Sequence, residues 1–426
     1  MRILVMSSMA WDDTNSIGNT FSNWFSGKAW ERDEFFHLYL RGQLPNNPVC
    51  KNYYKCTVFE MANLLKDREK IGTEFLYTPI QEKAPPKKTE NRLISILHKA
   101  PLNIVYWGID AVYRTGRWKN NKFKAWIEKA APDVVFLCVT DVSFINGFAE
   151  YIKENTHAKR ISYISDDFYT QFKHKPLYRR ARLLKEYENI IKKSDRVMCA
   201  SYTLKNFYEG LYGIKCDTIF KGCKVSEHIN ERVGDVLQIV YAGNLFYGRG
   251  EALFNIINAI RAINKTKQKF FLRIYCGDDM PEQDKEKYSI EGVAQFCGKV
   301  DYTEICEIEH RSDLVLVAES FEEKNKISTR YSFSTKIPDS LQSGCNVLGI
   351  GPNDISSIAF LKKLEFAYVI DDADKIKEEL EKIYADKENF IERRCKAKEF
   401  VRRNFEMESN CALIRSQFEK TFEETV

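Results

Sequence analysis

Residues 331–352 read YSFSTKIPDSLQSGCNVLGIGP, and they gather groups suited to holding an anion. Ser334 and Thr335 stand at the expected start of a short helix, where a hydroxyl can cap free backbone N–H groups. Lys336 adds a positive charge, and Asp339 adds a carboxylate one turn further on. A helix start offers N–H groups and the positive end of a dipole, so together with a lysine it can hold a phosphate. Gly344 ends the helix ahead of the apolar run NVLGIG. The plainer alternative is a capped core helix with a solvated lysine.

A second set lies in GNLFYGRG, residues 243–250. Gly243 and Asn244 form a tight turn after an apolar run, and Arg249 enters the next helix. Arginine can bond a diphosphate through two N–H groups at once; the alternative is a solvated helix-start arginine. Upstream, Gly18 and Asn19 lie in the loop after the first apolar run, Asp141 follows FLCVT, and Asp166 and Asp167 follow RISYIS. Carboxylates at strand ends suit general-base work on a hydroxyl, although Asp and Asn also cap helices there. The His residues form no metal constellation, and the Cys residues contain no CxxC pair. Several cysteines lie in apolar runs, which points to reduced, buried thiols in a cytosolic protein.

Elements able to position these groups follow from the apolar pattern. The chain has 426 residues, 44% hydrophobic and 29% charged, with a net charge of +5. That length predicts two domains, and the near balance of charge carries no general nucleic-acid signal. RILVM, EFFHLYL, DVVFLCVT, RISYIS and DRVMCAS are strand candidates separated by helix-length segments. The alternation restarts at VLQIVYAGNLF and continues through KFFLRIYCGD, GVAQFCGKV, DLVLVAES, NVLGIG and FAYVI. It predicts an α/β protein with two parallel, helix-covered sheets, at residues 1–225 and 235–400, and a helical tail over 401–426. Residues 41–130 are hard to read. No apolar run is long enough to span a membrane, and the first apolar run is too short for a secretory signal.

Two Rossmann-like domains with a C-terminal helix resemble the GT-B fold of glycosyltransferases, with domains facing across a cleft and the tail crossing back to the N-domain. DRVMCASYTLKNFYEGLYGIKCDTIFKGC, IVYAGNLFYGRG and STKIPDSLQSGCNVLGIGP resemble segments of retaining glycosyltransferase family 4, in the version common among enzymes of bacterial surface-polysaccharide synthesis. Many members carry two glutamates in the last segment. Asp339 stands at the second of those positions and Tyr331 at the first, so one carboxylate of the pattern is absent.

The resemblance implies transfer of a sugar from a nucleotide-diphosphate donor to a glycan or lipid-linked acceptor, with retention. The leaving diphosphate gains charge, so cations and oriented N–H groups should surround it. Arg249 and Lys336, with Asp166 and Asp167, are then the catalytic candidates. Gly243, Asn244, Gly277, Val300, Ser334, Thr335 and Asp339 join Arg249 and Lys336 on the donor side, with Asp339 on ribose hydroxyls and backbone near Gly277 or Val300 on the base. Gly18, Asn19 and Asp141 fall on the acceptor side. GT-B enzymes place cationic side chains where others use a metal, so neither metal nor cofactor is expected. Residues 98–126 mix Arg114, Arg117, Lys119 and Lys122 with Trp107, Tyr113, Trp118 and Trp126, a composition suited to peripheral contact with the inner membrane face; its alternative is a core helix with a solvated loop. Rival readings are a GT-B epimerase or phosphorylase, and a non-catalytic sugar-nucleotide or glycan-binding partner, which Tyr331 favours. No GxGxxG follows the first strand, which disfavours a dinucleotide oxidoreductase.

Overall fold

The computed structural model describes the chain except residues 42–43, 58–59, 62–66, 80–107, 109–110, 113–114, 141–142, 279–281 and 425–426. It divides into two compact units: residues 1–199, 208–217 and 411–426, and residues 200–207 and 218–410.

The first unit is built on an eight-stranded sheet. Its strands are β1 (Arg2–Met9), β2 (Glu34–Arg41), β3 (Asn52–Lys55), β4 (Thr73–Leu76), β5 (Val134–Val139), β6 (Lys159–Ile164), β7 (Arg196–Cys199) and β8 (Cys216–Thr218). They lie in the order β4-β3-β2-β1-β5-β6-β7-β8. β4 is antiparallel to β3, and the pairs from β3 through β7 are parallel. Every residue of β5 is buried, as expected of a parallel strand covered on both faces. β3 and β4 were not legible in the sequence, because neither carries a long apolar run.

The second unit holds a six-stranded parallel sheet. Its strands are β9 (Leu237–Ala242), β10 (Phe270–Tyr275), β11 (Ala294–Gly298), β12 (Leu314–Ala318), β13 (Asn346–Ile350) and β14 (Tyr368–Ile370), in the order β11-β10-β9-β12-β13-β14. The helix Arg249–Asn264 packs Leu253, Ile256, Ile257, Ile260 and Ile263 into its core, the face the helical spacing predicts.

Unit boundaries differ from those read in the sequence. Residues 218–225 belong to the second unit because Cys223 pairs with the chain around Phe405: the Cys223 amide donates to the Phe405 carbonyl at 2.8 Å, and the Met407 amide donates to the Cys223 carbonyl at 3.1 Å. The tail is two helices, Phe390–Asn404 and Met407–Glu423. Only its part from Cys411 onward belongs to the first unit, where Phe418 meets Trp30 edge-on at 5.3 Å and Arg415 pairs with Asp33 at 2.7 Å. Among the described residues no disulfide links the cysteines; most are buried, and Cys395 is exposed. Among the described residues, no helix is long and apolar enough to cross a membrane.

Candidate functional site

In the second sheet the strand order reverses between β9 and β12, so the loops leaving those strands diverge and open a crevice at their carboxyl ends. Arg249 opens the helix that follows β9, and Glu319 directly follows β12. The two meet there, Arg249 Nη2 lying 3.0 Å from Glu319 Oε1, while Arg249 Nη1 donates to Asn244 Oδ1 at 2.9 Å. Lys336 arrives from the next connection and donates from Nζ to the Ala242 carbonyl at the end of β9. Gly243 makes this approach possible: a Cβ there would lie 2.6 Å from Lys336 Nζ and 2.9 Å from the Tyr241 hydroxyl. Tyr241 in turn donates to the Asn244 carbonyl at 2.5 Å, and the Leu245 amide to Asp278 at 2.7 Å, which pins the turn.

Two cations therefore share one strand edge. Surrounding protein pushes the Lys336 ammonium down to about 8, and repulsion from Arg249 acts in the same direction. Lys336 nevertheless keeps an exposed surface. Burial works against the charge on Arg249, but Glu319 more than compensates, and the net shift is upward. Burial raises the Glu319 carboxyl, opposed by Arg249 and Lys336. Glu309, on the helix Tyr302–His310, is buried and pushed up to about 7, first by burial and then by repulsion from Asp339, with Lys336 opposing. Asp339 is paired with Lys221 at 2.9 Å and accepts from the Tyr302 hydroxyl at 3.3 Å. A strand edge with two cations and flanking carboxylates can hold an anion that carries hydroxyl groups.

Sequence candidates fall around this point unevenly. Gly243, Asn244, Arg249 and Lys336 come together as described. Gly277 and Val300 follow β10 and β11 at the same carboxyl edge. Asp339 is one turn into the helix Ile337–Gln342, already engaged by Lys221. The expected cap is absent: Lys336 itself occupies the cap position, and no side chain caps the helix. Ser334 fails as an N–H donor to a ligand, because its amide donates to Ser357 Oγ at 2.9 Å. Thr335 is half-buried just before the cap. With Pro338 in its first turn, the helix is too short to supply the dipole expected of it. Tyr331 stacks on Phe207 at 4.9 Å.

In the first unit, Gly18 and Asn19 lie inside the helix Ser16–Trp24 and not in a loop. Asn15 caps that helix by accepting from the Gly18 amide, and a Cβ on Gly18 would lie 2.2 Å from the Asp12 carbonyl, so the glycine serves close packing. Asp167 is buried and caps the helix Phe168–Lys173, accepting from the Thr170 amide at 2.9 Å. Asp166 is half-buried and accepts from Ser165 Oγ at 2.8 Å. Asp141 lies outside the described residues, as do Trp107, Tyr113, Arg114 and the start of the 98–126 segment. Within that segment Trp118 and Trp126 are buried in the core, Lys122 donates to the Gly72 carbonyl and Arg117 to the Met61 carbonyl. Two of the four aromatics named for membrane contact, Trp118 and Trp126, thus belong to core packing.

Sequence reasoning missed Glu319, Lys221, Glu309 and Tyr302. Glu319 had a signal, since an acid directly after the buried strand LVLVA is a strand-end carboxylate like those singled out upstream. Lys221 and Tyr302 had none, because their relation to Asp339 arises only on folding. Among the described residues, no group of three His, Cys, Asp or Glu side chains could hold a metal ion.

Two doubly wound Rossmann-like units in tandem are the GT-B fold of glycosyltransferases. Solved structures match along the full length. A sucrose-phosphate synthase from Thermosynechococcus elongatus matches with TM-score 0.62 at 12% identity, covering 99% of both chains. HepE of Anabaena, solved with UDP and glucose, matches with TM-score 0.61 at 10% identity, covering 100% of both. A UDP-forming trehalose-phosphate synthase from Burkholderia xenovorans, solved with glucose-6-phosphate, matches with TM-score 0.58 at 8% identity, covering 99% of this chain and 100% of that one. The likeness is one of fold. No family model and no curated protein matches the chain.

Proposed function

We propose that the protein is a glycosyltransferase that moves a sugar from a nucleoside-diphosphate donor to a hydroxyl of a sugar or glycan acceptor. The observation that carries this is the meeting of Arg249 and Lys336 at the switch point of the second sheet, with the Asp339 carboxylate, paired to Lys221, suited to hydroxyl groups. Cleaving the bond between anomeric carbon and phosphate leaves charge on the diphosphate, and two fixed cations stabilise it. Asp339 then takes ribose hydroxyls by giving up or sharing Lys221. The motif resemblance to family 4 supports retention and a surface-polysaccharide acceptor. The UDP named for HepE and for the trehalose-phosphate synthase supports a uridine donor.

Screening nucleoside-diphosphate sugars by thermal shift tests the reading, since a ligand of the native state raises its melting temperature. A donor found in this way should be consumed in the presence of an acceptor, with the product's anomeric configuration read by NMR. No shift with any donor would sink the proposal. One observation favours a second reading: Tyr331 replaces an acid of the family pattern and is packed against Phe207. Donor binding without hydrolysis or transfer would establish a non-catalytic binder on this fold.

A further inference from the structure

A carboxylate directly behind the phosphate-holding arginine is an odd choice for a site that must attract an anion. Glu319 and Arg249 form an ion pair whose acidic partner has only 4% of its side chain exposed and whose basic partner has 19%. Such a pair is poor value as a stability device, because removing both charges from water costs several kcal/mol per ion, and an apolar pair of the same size is often as stable. The pairing is also incomplete on the acidic side, since Glu319 Oε2 is buried and no protein group donates to it. Arg249, by contrast, is held at two points, by Glu319 on Nη2 and by Asn244 on Nη1. Two anchors fix the plane of a guanidinium, and its remaining N–H groups are then held at set directions within that plane.

We propose that Glu319 is a positioning residue, which orients Arg249 so that the free edge of its guanidinium faces the donor diphosphate. This rests on the function proposed above and adds to it a residue that does not itself touch substrate. The net effect on anion binding is a balance of opposite signs. The negative charge repels the diphosphate, while the tether spares Arg249 the entropy of finding its bound orientation.

The sign of that balance gives the test. Calorimetric titration of the full chain with inorganic pyrophosphate compares Glu319→Gln with Glu319→Leu. Both variants lose the charge, but only Gln keeps an oxygen that can accept from Arg249. Glu319→Gln should bind pyrophosphate at least as tightly as the parent. Glu319→Leu should bind about tenfold more weakly than Glu319→Gln, and the difference should vanish when Arg249 is Ala. Equal binding by the two variants, or a difference that persists without Arg249, would overturn the proposal. A role in stability alone moves melting temperatures and leaves these affinities in the order the charge dictates. Should Glu319→Leu fail to fold, Glu319→Ser, which also lacks the reach, carries the same expected ranking. If the parent binds neither pyrophosphate nor UDP, the proposed function falls and this inference with it; parent binding without the Gln–Leu contrast removes this inference alone.

Discussion

Lys336 and Arg249 are the residues on which the proposed chemistry turns, and each makes a separate prediction. Lys336→Ala and Arg249→Ala should each slow sugar transfer by about ten- to thousand-fold, the range for losing one charge-stabilising group. Steady-state kinetics with the identified donor checks this. Anion affinity should also fall as pH rises through about 8, because Lys336 holds the anion only as an ammonium and its proton leaves there. Pyrophosphate titrations on either side of that value should show the loss in the parent and not in Lys336→Ala. Glu309 predicts a separate pH effect, on stability. Its folded value of about 7 lies above the ordinary 4.5, so between them the native state binds more protons than the unfolded chain. That contribution favours the native state below the ordinary value and is lost as pH rises towards about 7. Glu309→Gln should therefore gain on the parent across this window, by up to about 3 kcal/mol, in urea unfolding followed by circular dichroism.

At the scale of elements, the site depends on how β9 ends. The turn after it is drawn tight by Tyr241, Asn244 and Asp278, and the missing side chain of Gly243 leaves room for Lys336. Gly243→Ala should displace the ammonium and lower pyrophosphate affinity nearly to that of Lys336→Ala, while the fold is retained. Calorimetry paired with thermal unfolding separates the two effects. The strand positions were legible because runs such as LVLVA and VVFLCV have the length and continuous apolar character of doubly covered parallel strands. The helix holding Asp339 was legible as an element, but its capping was not. Ser, Thr and Lys in a row suggest a cap by propensity, and the competing bond from the Ser334 amide to Ser357 exists only after a distant segment packs beside it. Asp167 shows the converse, since its capping role was one of two readings of the same residue type and local geometry chose between them.

Across the whole molecule, the end of the chain completes the first unit. Phe418 packs among Phe25, Trp30 and Phe136. Phe418→Ala should destabilise that unit by about 3–5 kcal/mol, the usual loss for a buried phenylalanine, and leave pyrophosphate affinity unchanged. Differential scanning calorimetry with a parallel titration checks both halves. The sequence by itself determined the α/β class, the restart of the strand pattern and the turn carrying Arg249, because these rest on local apolar runs and turn residues. Tertiary structure decided that residues 200–207 and 218–225 join the second unit, that Trp118 and Trp126 are core, and that Glu319 stands behind Arg249. Each of those outcomes depends on a partner far away in the chain. Spacing along a sequence records which face of an element is apolar, and it carries no information about which distant side chain will be brought against a charged one.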